Sequence, residues 1–437
     1  MARPGGPLAA PPLTPPAAPA VRLAEASAAP SLRTNIAWTV GGNAAYLASQ
    51  WGLLLVLAKY TSPAEVGLFG LALAVTGPVF AFALLQLRAV LAADASGRYA
   101  ARTYLSLRLA MTLAGAAVAV VIGATVYDGR ATAVIAVVAA MKAVECVSEI
   151  CYGFFQHDER MDLVARSMLL KGAATLAAGF AAAALTGSLL AVAGAALAVW
   201  VVTAAAYDLP HLAARTPLGG FFRADRAESR TLLAASLPLG LVTALLSLAV
   251  SAPRYVVETT AGVAVLGFYT AVSYIPNAVG SVVSSVGQAS SARLARLAMG
   301  RSGFESLLWR LTGAAIAAGI LGTLGALVLG SWTLGVLYTP AYSGYAPLLA
   351  GLFVAFVPNY VSATLVCGLF AVDELRVQLP VVAAMAVVGI VVSYTAVPAL
   401  GLWGAVLALG SANGVQCLGY AWALRRGVAR RHAAAVL

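Results

Sequence analysis

Twelve times between residues 37 and 423 the chain runs apolar for about 20 residues, enough to cross roughly 30 Å of hydrocarbon as a helix. The stretches are 37–58, 66–87, 104–126, 131–155, 163–186, 189–209, 232–253, 264–288, 307–331, 344–371, 377–397 and 401–423. Lipid offers no hydrogen bonds, so each must satisfy its own backbone, and a helix does so within one segment. Only 10% of the 437 residues are charged, against about 25% in soluble domains. With 61% hydrophobic residues and a mean hydropathy of +0.90, an ordinary soluble enzyme is excluded. The expected fold is an all-α membrane protein of about twelve transmembrane helices.

The net charge of +11 is distributed as a membrane topology signal. With the N-terminus in the cytoplasm, the even loops and both tails hold 23 Lys and Arg residues. The opposite side holds 3 (Lys59, Arg130 and Arg254), and Lys142 falls within a span. This positive-inside bias puts both termini in the cytoplasm and argues against a nucleic-acid partner. Cys146, Cys151, Cys367 and Cys417 fall within spans and form no CxxC pair. No metal site is visible, and no cofactor is expected.

Residues 1–33, rich in Pro and Ala, read as a disordered cytoplasmic tail. The rest divides into a six-span lobe (34–215), a basic linker (216–230), a second six-span lobe (231–425) and a basic tail (426–437). The halves show a weak internal match. Gly67 and Phe69 correspond in spacing to Gly267 and Tyr269, and Pro78 and Pro276 follow in turn. Equal numbers of spans in the same orientation imply a parallel pseudo-repeat about an axis along the membrane normal. Chance similarity of two Gly-rich helices is the competing reading. The outward loops are short, which speaks against a membrane polymerase or ligase.

Polar residues recur at helical spacing in three spans. Span one carries Asn43, Tyr46 and Gln50, extended by Asn35 and Thr39. Span seven carries Ser236, Thr243, Ser247 and Ser251, and span eight Tyr269, Ser273, Asn277, Ser281, Ser284 and Gln288. These stripes either line a hydrated cavity or bond helix to helix. A cavity would have a neutral, hydroxyl- and amide-rich wall suited to a sugar-bearing substrate.

Span four holds a different set. Lys142, Glu145 and Glu149, continued by Tyr152 and Gln156, fall within about 80° of one helix face. Lys171 of span five lies as far from the turn near Arg160 as Glu149 does, 11 residues each way. An interhelical Glu149–Lys171 bridge, with Lys142–Glu145 along the helix, would neutralise all four charges. The quartet is either a structural ion network or a path for protons, ions or substrate.

Several segments together resemble the O-antigen (Wzx-type) flippases. These form the polysaccharide transporter branch of the multidrug/oligosaccharidyl-lipid/polysaccharide superfamily. The segments are "TSPAEVGLFGLALAVTGPVFAF" (61–82), "LLQLRAVLAADA" (84–95), "KAVECVSEICYGFFQHDERMDLVARS" (142–167) and "PRYVVETTAGVAVLGFYTAV" (253–272). The resemblance implies two six-helix lobes in a bacterial inner membrane. It implies transfer of an undecaprenyl-diphosphate-linked glycan from the cytoplasmic to the periplasmic leaflet by alternating access, without covalent chemistry. Membrane lipid, a polysaccharide polymerase and assembly proteins are the implied partners. The diphosphate requires cations, and Arg88 is the first candidate, since guanidinium forks onto phosphate oxygens. Membership of the cytoplasmic basic belt is the alternative for Arg88. Lys142, and Lys59 with Arg254 at the outward ends of spans one and seven, are further candidates, with interfacial anchoring as the alternative for the last two. Span one lacks the acidic residue of many related carriers of cationic drugs, which weakens the reading as a cation-coupled antiporter.

Overall fold

The computed structural model describes residues 31–94, 96–216, 225–299 and 303–434. The expected tail up to residue 30 and most of the linker (217–224) lie outside them. The described residues are helical and contain no strand. In chain order the helices are α1 (Leu32–Tyr60), α2 (Pro63–Ala83), α3 (Leu87–Ala93), α4 (Ala101–Val126), α5 (Gly129–His157), α6 (Met161–Thr186), α7 (Leu189–Thr203) and α8 (Leu209–Ala213). Then follow α9 (Arg226–Ala261), α10 (Val263–Met299), α11 (Phe304–Leu337), α12 (Ala346–Val372), α13 (Gln378–Leu400) and α14 (Leu402–Ala434). Among the described residues, ten helical segments are long and apolar enough to cross a membrane. The other two expected spans, α5 and α14, are helices of 29 and 33 residues.

Local chemistry sets the boundaries. Ser62 caps α2, accepting the Glu65 N–H at 3.4 Å, and Pro63 takes the first helical position, where no N–H is needed. Asp128 caps α5 through the Ala131 N–H at 2.7 Å. Pro78 inside α2 cannot donate to the Ala74 carbonyl four residues back. The Tyr255 hydroxyl of α9 donates to that carbonyl instead, so the freed acceptor is satisfied by a neighbouring helix, as lipid demands.

Helix α2 is the pivot, packing on α4 and α5 on one side and on α9 and α10 on the other. Where α2 crosses α10 the backbones meet reciprocally. A side chain on Gly67 would run into the Val263 carbonyl, and one on Gly267 into the Pro63 carbonyl. The matched glycines of the two halves are therefore the close-approach points of one crossing. They seal the bundle at the end bearing Lys59 and Arg254, hereafter the closed end. An aromatic cluster of Phe268, Tyr338, Tyr342 and Tyr345 adds to the seal there.

At the opposite end α2 stops short. Leu85 and Gln86 adopt positive φ (46° and 52°), an uncommon conformation for side-chain-bearing residues. They break the helix and restart it as α3, which carries Arg88 and packs on α5.

Candidate functional site

Between α1, α3, α4, α5, α6, α9, α10, α12, α13 and α14 lies a cavity of about 1090 Å³. Its wall lies in the halves of these helices away from the closed end. Asn35, Thr39, Asn43 and Tyr46 come from α1, and Asn277, Ser281, Ser284, Ser285 and Gln288 from α10. Asn359, Ser362, Gln378 and Gln416 bring further amides and hydroxyls from α12, α13 and α14. Ser285 and Gln288 are exposed, so the cavity reaches solvent on this side.

The polar stripes divide between the two expected uses. Asn43, Tyr46, Asn277 and Gln288 line the cavity. Ser251, Tyr269 and Ser273 do not. They are buried, on the helices α9 and α10 that pack against α2. Ser247 faces α2 at Gly77, and Gln50 is half-buried one turn beyond Tyr46. Lys59 is exposed at the end of α1. Arg254 is half-buried, and its Nε has no hydrogen-bond partner among the described residues.

The charges of α5 form a ladder facing α1 and α3. Lys142 Nζ donates to Glu145 Oε2 at 2.7 Å, and the Tyr46 hydroxyl donates to Glu145 Oε1 at 2.6 Å. One rung towards solvent, Arg88 Nη1 donates to Glu149 Oε1 at 3.1 Å, and Arg88 Nε to Gln156 Oε1 at 3.1 Å. The Glu149–Lys171 bridge expected from the sequence is not formed. The face of α5 turned towards Lys171 is that of Ser148 and Tyr152, and Ser148 lies about 100° around the helix from Glu149.

Lys171 instead belongs to a second, dry cluster. Its Nζ donates to Ser148 Oγ at 2.7 Å and lies 3.9 Å from Asp208 Oδ2. Asp208 accepts the hydroxyls of Ser148 (2.7 Å) and Ser167 (2.6 Å), and Ser167 also meets the Tyr152 hydroxyl at 2.8 Å. Asp208 is fully buried although it stands at the polar end of its span. A single π-helical turn, Ala204–Asp208, links α7 to α8 and ends on this residue. Sequence reasoning missed Asp208, whose only signal was an acid two residues before Pro210.

It also missed Arg108. Counted among the cytoplasmic basic residues, Arg108 is interior: it is 2% exposed and contributes to the cavity wall. Nη1 reaches the Ala83 carbonyl, the frayed end of α2, at 3.4 Å, and Nε has no partner among the described residues. Among those residues no cluster of His, Cys, Asp and Glu is placed to hold a metal ion.

Residues 32–292 match the family model described as polysaccharide biosynthesis protein. The chain belongs to that family. The capsular polysaccharide biosynthesis protein CapF of Staphylococcus aureus is 22% identical over 382 residues, covering 86% of this chain and 94% of CapF. The fold is shared with solved membrane transporters. An inward-facing multidrug resistance MATE family transporter superposes with a TM-score of 0.70 at 15% identity, over 90% of this chain and 96% of that one. The lipid II flippase MurJ, in an inward closed conformation, gives 0.69 at 11% identity, over 88% and 87%. The protein is thus a multi-pass membrane protein of polysaccharide biosynthesis on a transporter fold.

Proposed function

We propose that this protein is a flippase for an undecaprenyl-diphosphate-linked oligosaccharide. It carries the glycan from the cytoplasmic to the periplasmic leaflet of the bacterial inner membrane for cell-surface polysaccharide synthesis, without covalent chemistry. The observation that carries this reading is the cavity itself. Its amides and hydroxyls provide donors and acceptors for sugar hydroxyls, and its volume of about 1090 Å³ lies just above the roughly 300–1,000 Å³ typical of drug-sized ligands. Arg88 stands in its wall as the cation for the diphosphate. The two halves act as lobes rocking about the α2–α10 crossing, with both termini on the cytoplasmic side. Opening the Gly67–Gly267 seal would expose the outward path, where Arg254 stands ready to meet the same anion.

Deletion is expected to leave lipid-linked repeat units on the cytoplasmic face and to abolish the surface polysaccharide. Normal surface glycan in a deletion strain with no paralogue sinks the proposal. The MATE-like fold favours a second reading, a cation-coupled drug antiporter. Resistance to cationic dyes on overexpression, with surface glycan unaffected by deletion, would select it. Polymerised glycan made by the purified protein in vesicles would point instead to an enzyme.

A further inference from the structure

We propose that Arg88 and Arg108 form a two-guanidinium anion site in which the Glu149 carboxylate is a resident stand-in for a phosphate. The phosphate group of the cargo displaces Glu149 from Arg88. This rests on the diphosphate-linked cargo proposed above and adds the residue that holds the anion and the group it must displace.

The pairing of charges in and behind the cavity wall is the first support. Lys142 is paired with Glu145, and Lys171 with Asp208. Two arginines, Arg88 and Arg108, then line the cavity with two carboxylates, the exposed Glu159 and Glu149, which pairs with Arg88. Arg108 makes no salt bridge among the described residues. A charge buried this deeply without an ion-pair partner is costly. The negative end of α2 compensates part of it through the long 3.4 Å bond to Ala83, but the Nε remains unmet. A guanidinium so placed in a cavity wall is a vacancy for an anion.

The second support is the Arg88–Glu149 bridge. It uses one carboxylate oxygen at 3.1 Å, and the side chains are 23% and 27% exposed, so solutes in the cavity can reach it. Arg88 has other supports. Gln156 holds its Nε, the Tyr152 ring lies 5.6 Å from its guanidinium carbon, and its backbone packs on Gly153. The guanidinium therefore stays in position when Glu149 leaves. A phosphate offers oxygens in the geometry a guanidinium fork prefers, which a monodentate carboxylate does not use.

The test is pyrophosphate binding to the full-length protein in nanodiscs, by calorimetry at constant ionic strength. Glu149→Gln removes the competitor and is expected to tighten binding about three- to tenfold, the equivalent of roughly 1 kcal/mol for a partly exposed ion pair. Arg108→Gln is expected to weaken binding by about tenfold or more. Unchanged or weaker binding in Glu149→Gln overturns the proposal, even if Arg108→Gln fails to fold. So does absence of binding in both wild type and Glu149→Gln. Nanodiscs containing polyprenyl diphosphate should suppress pyrophosphate binding, whereas phosphatidylglycerol should not. Suppression by phosphatidylglycerol would assign the site to a lipid headgroup and overturn the cargo assignment. The binding pattern without glycan transfer would sink the flippase reading alone, and transfer without the pattern would sink the anion site alone.

Discussion

Replacing Lys171 by Met should unfold the protein more easily than any other single change in the α5–α6–α7 cluster. Lys171 and Asp208 are 2% and 0% exposed. The substitution leaves the Asp208 carboxylate buried with only the hydroxyls of Ser148 and Ser167 to solvate it. Breaking a buried pair from one side costs about 3–5 kcal/mol, because the remaining charge is uncompensated. The two hydroxyl bonds survive, so the lower half of that range applies, about 3 kcal/mol. Lys171→Met with Asp208→Asn removes both charges and leaves an amide for the same hydroxyls. It should recover most of the loss, and the double-mutant cycle should show a coupling of about 2 kcal/mol. The assay is SDS titration of the purified protein in mixed micelles, followed by tryptophan fluorescence. Trp200, which donates to Thr175 and lies 5.6 Å from Lys171 Nζ, reports on this cluster. A Lys171→Met loss below about 1 kcal/mol, or a double variant no better than the single, would refute the reasoning.

Two other outcomes test the ends of the bundle. Gly67→Ala pushes α2 off the Val263 carbonyl, and overpacking of this kind costs about 1–3 kcal/mol, so the closed end should open roughly 5- to 150-fold more often. A cysteine at Thr270, which lies against Gly70, should then label faster from that side in a cysteine-free background; an unchanged rate would clear the glycine of this role. In the turn after α3, Asp94 feels a desolvation that would raise its pKa. The N–H groups of Arg98 and Tyr99, with the Ser96 and Tyr104 hydroxyls, outweigh it and hold the carboxyl below its usual 3.8. A depressed carboxylate stabilises above its unfolded pKa and loses that contribution as pH falls through the folded one. The Arg98 and Tyr99 amides should therefore stay protected from neutral pH down to about pH 4 and lose protection below it. In Asp94→Asn the loss should already be present at neutral pH, as read by hydrogen exchange corrected for intrinsic rates.

Much of the site was legible in the residues, because helical spacing alone decides what shares a face. The α5 ladder was readable from Lys142 to Gln156, and so was the Lys142–Glu145 pair, since i and i+3 are neighbours on any helix. The α1 and α10 stripes pointed to a polar wall for the same reason, with Asn43, Tyr46, Asn277 and Gln288 now lining the cavity. What failed were inferences that crossed from one helix to another. Equal distance from a turn gives equal depth, and on that basis Glu149 was matched to Lys171. Depth is not facing. The rotation of α5 about its axis turns Ser148 and Tyr152 towards Lys171 and leaves Glu149 to Arg88.

By itself the sequence determined that this chain is helical, that it is a multi-pass membrane protein and which helix faces carry polar residues. These follow from the hydrophobic effect and from each helix satisfying its own backbone. Only the tertiary structure decided the partners. The left-handed turn at Leu85–Gln86 brings Arg88 back onto α5, the π turn buries Asp208, and the packing of α4 on α2 takes Arg108 out of water. Each depends on how helices rotate and where they break. Packing between segments distant in the chain sets both, and no local pattern records it.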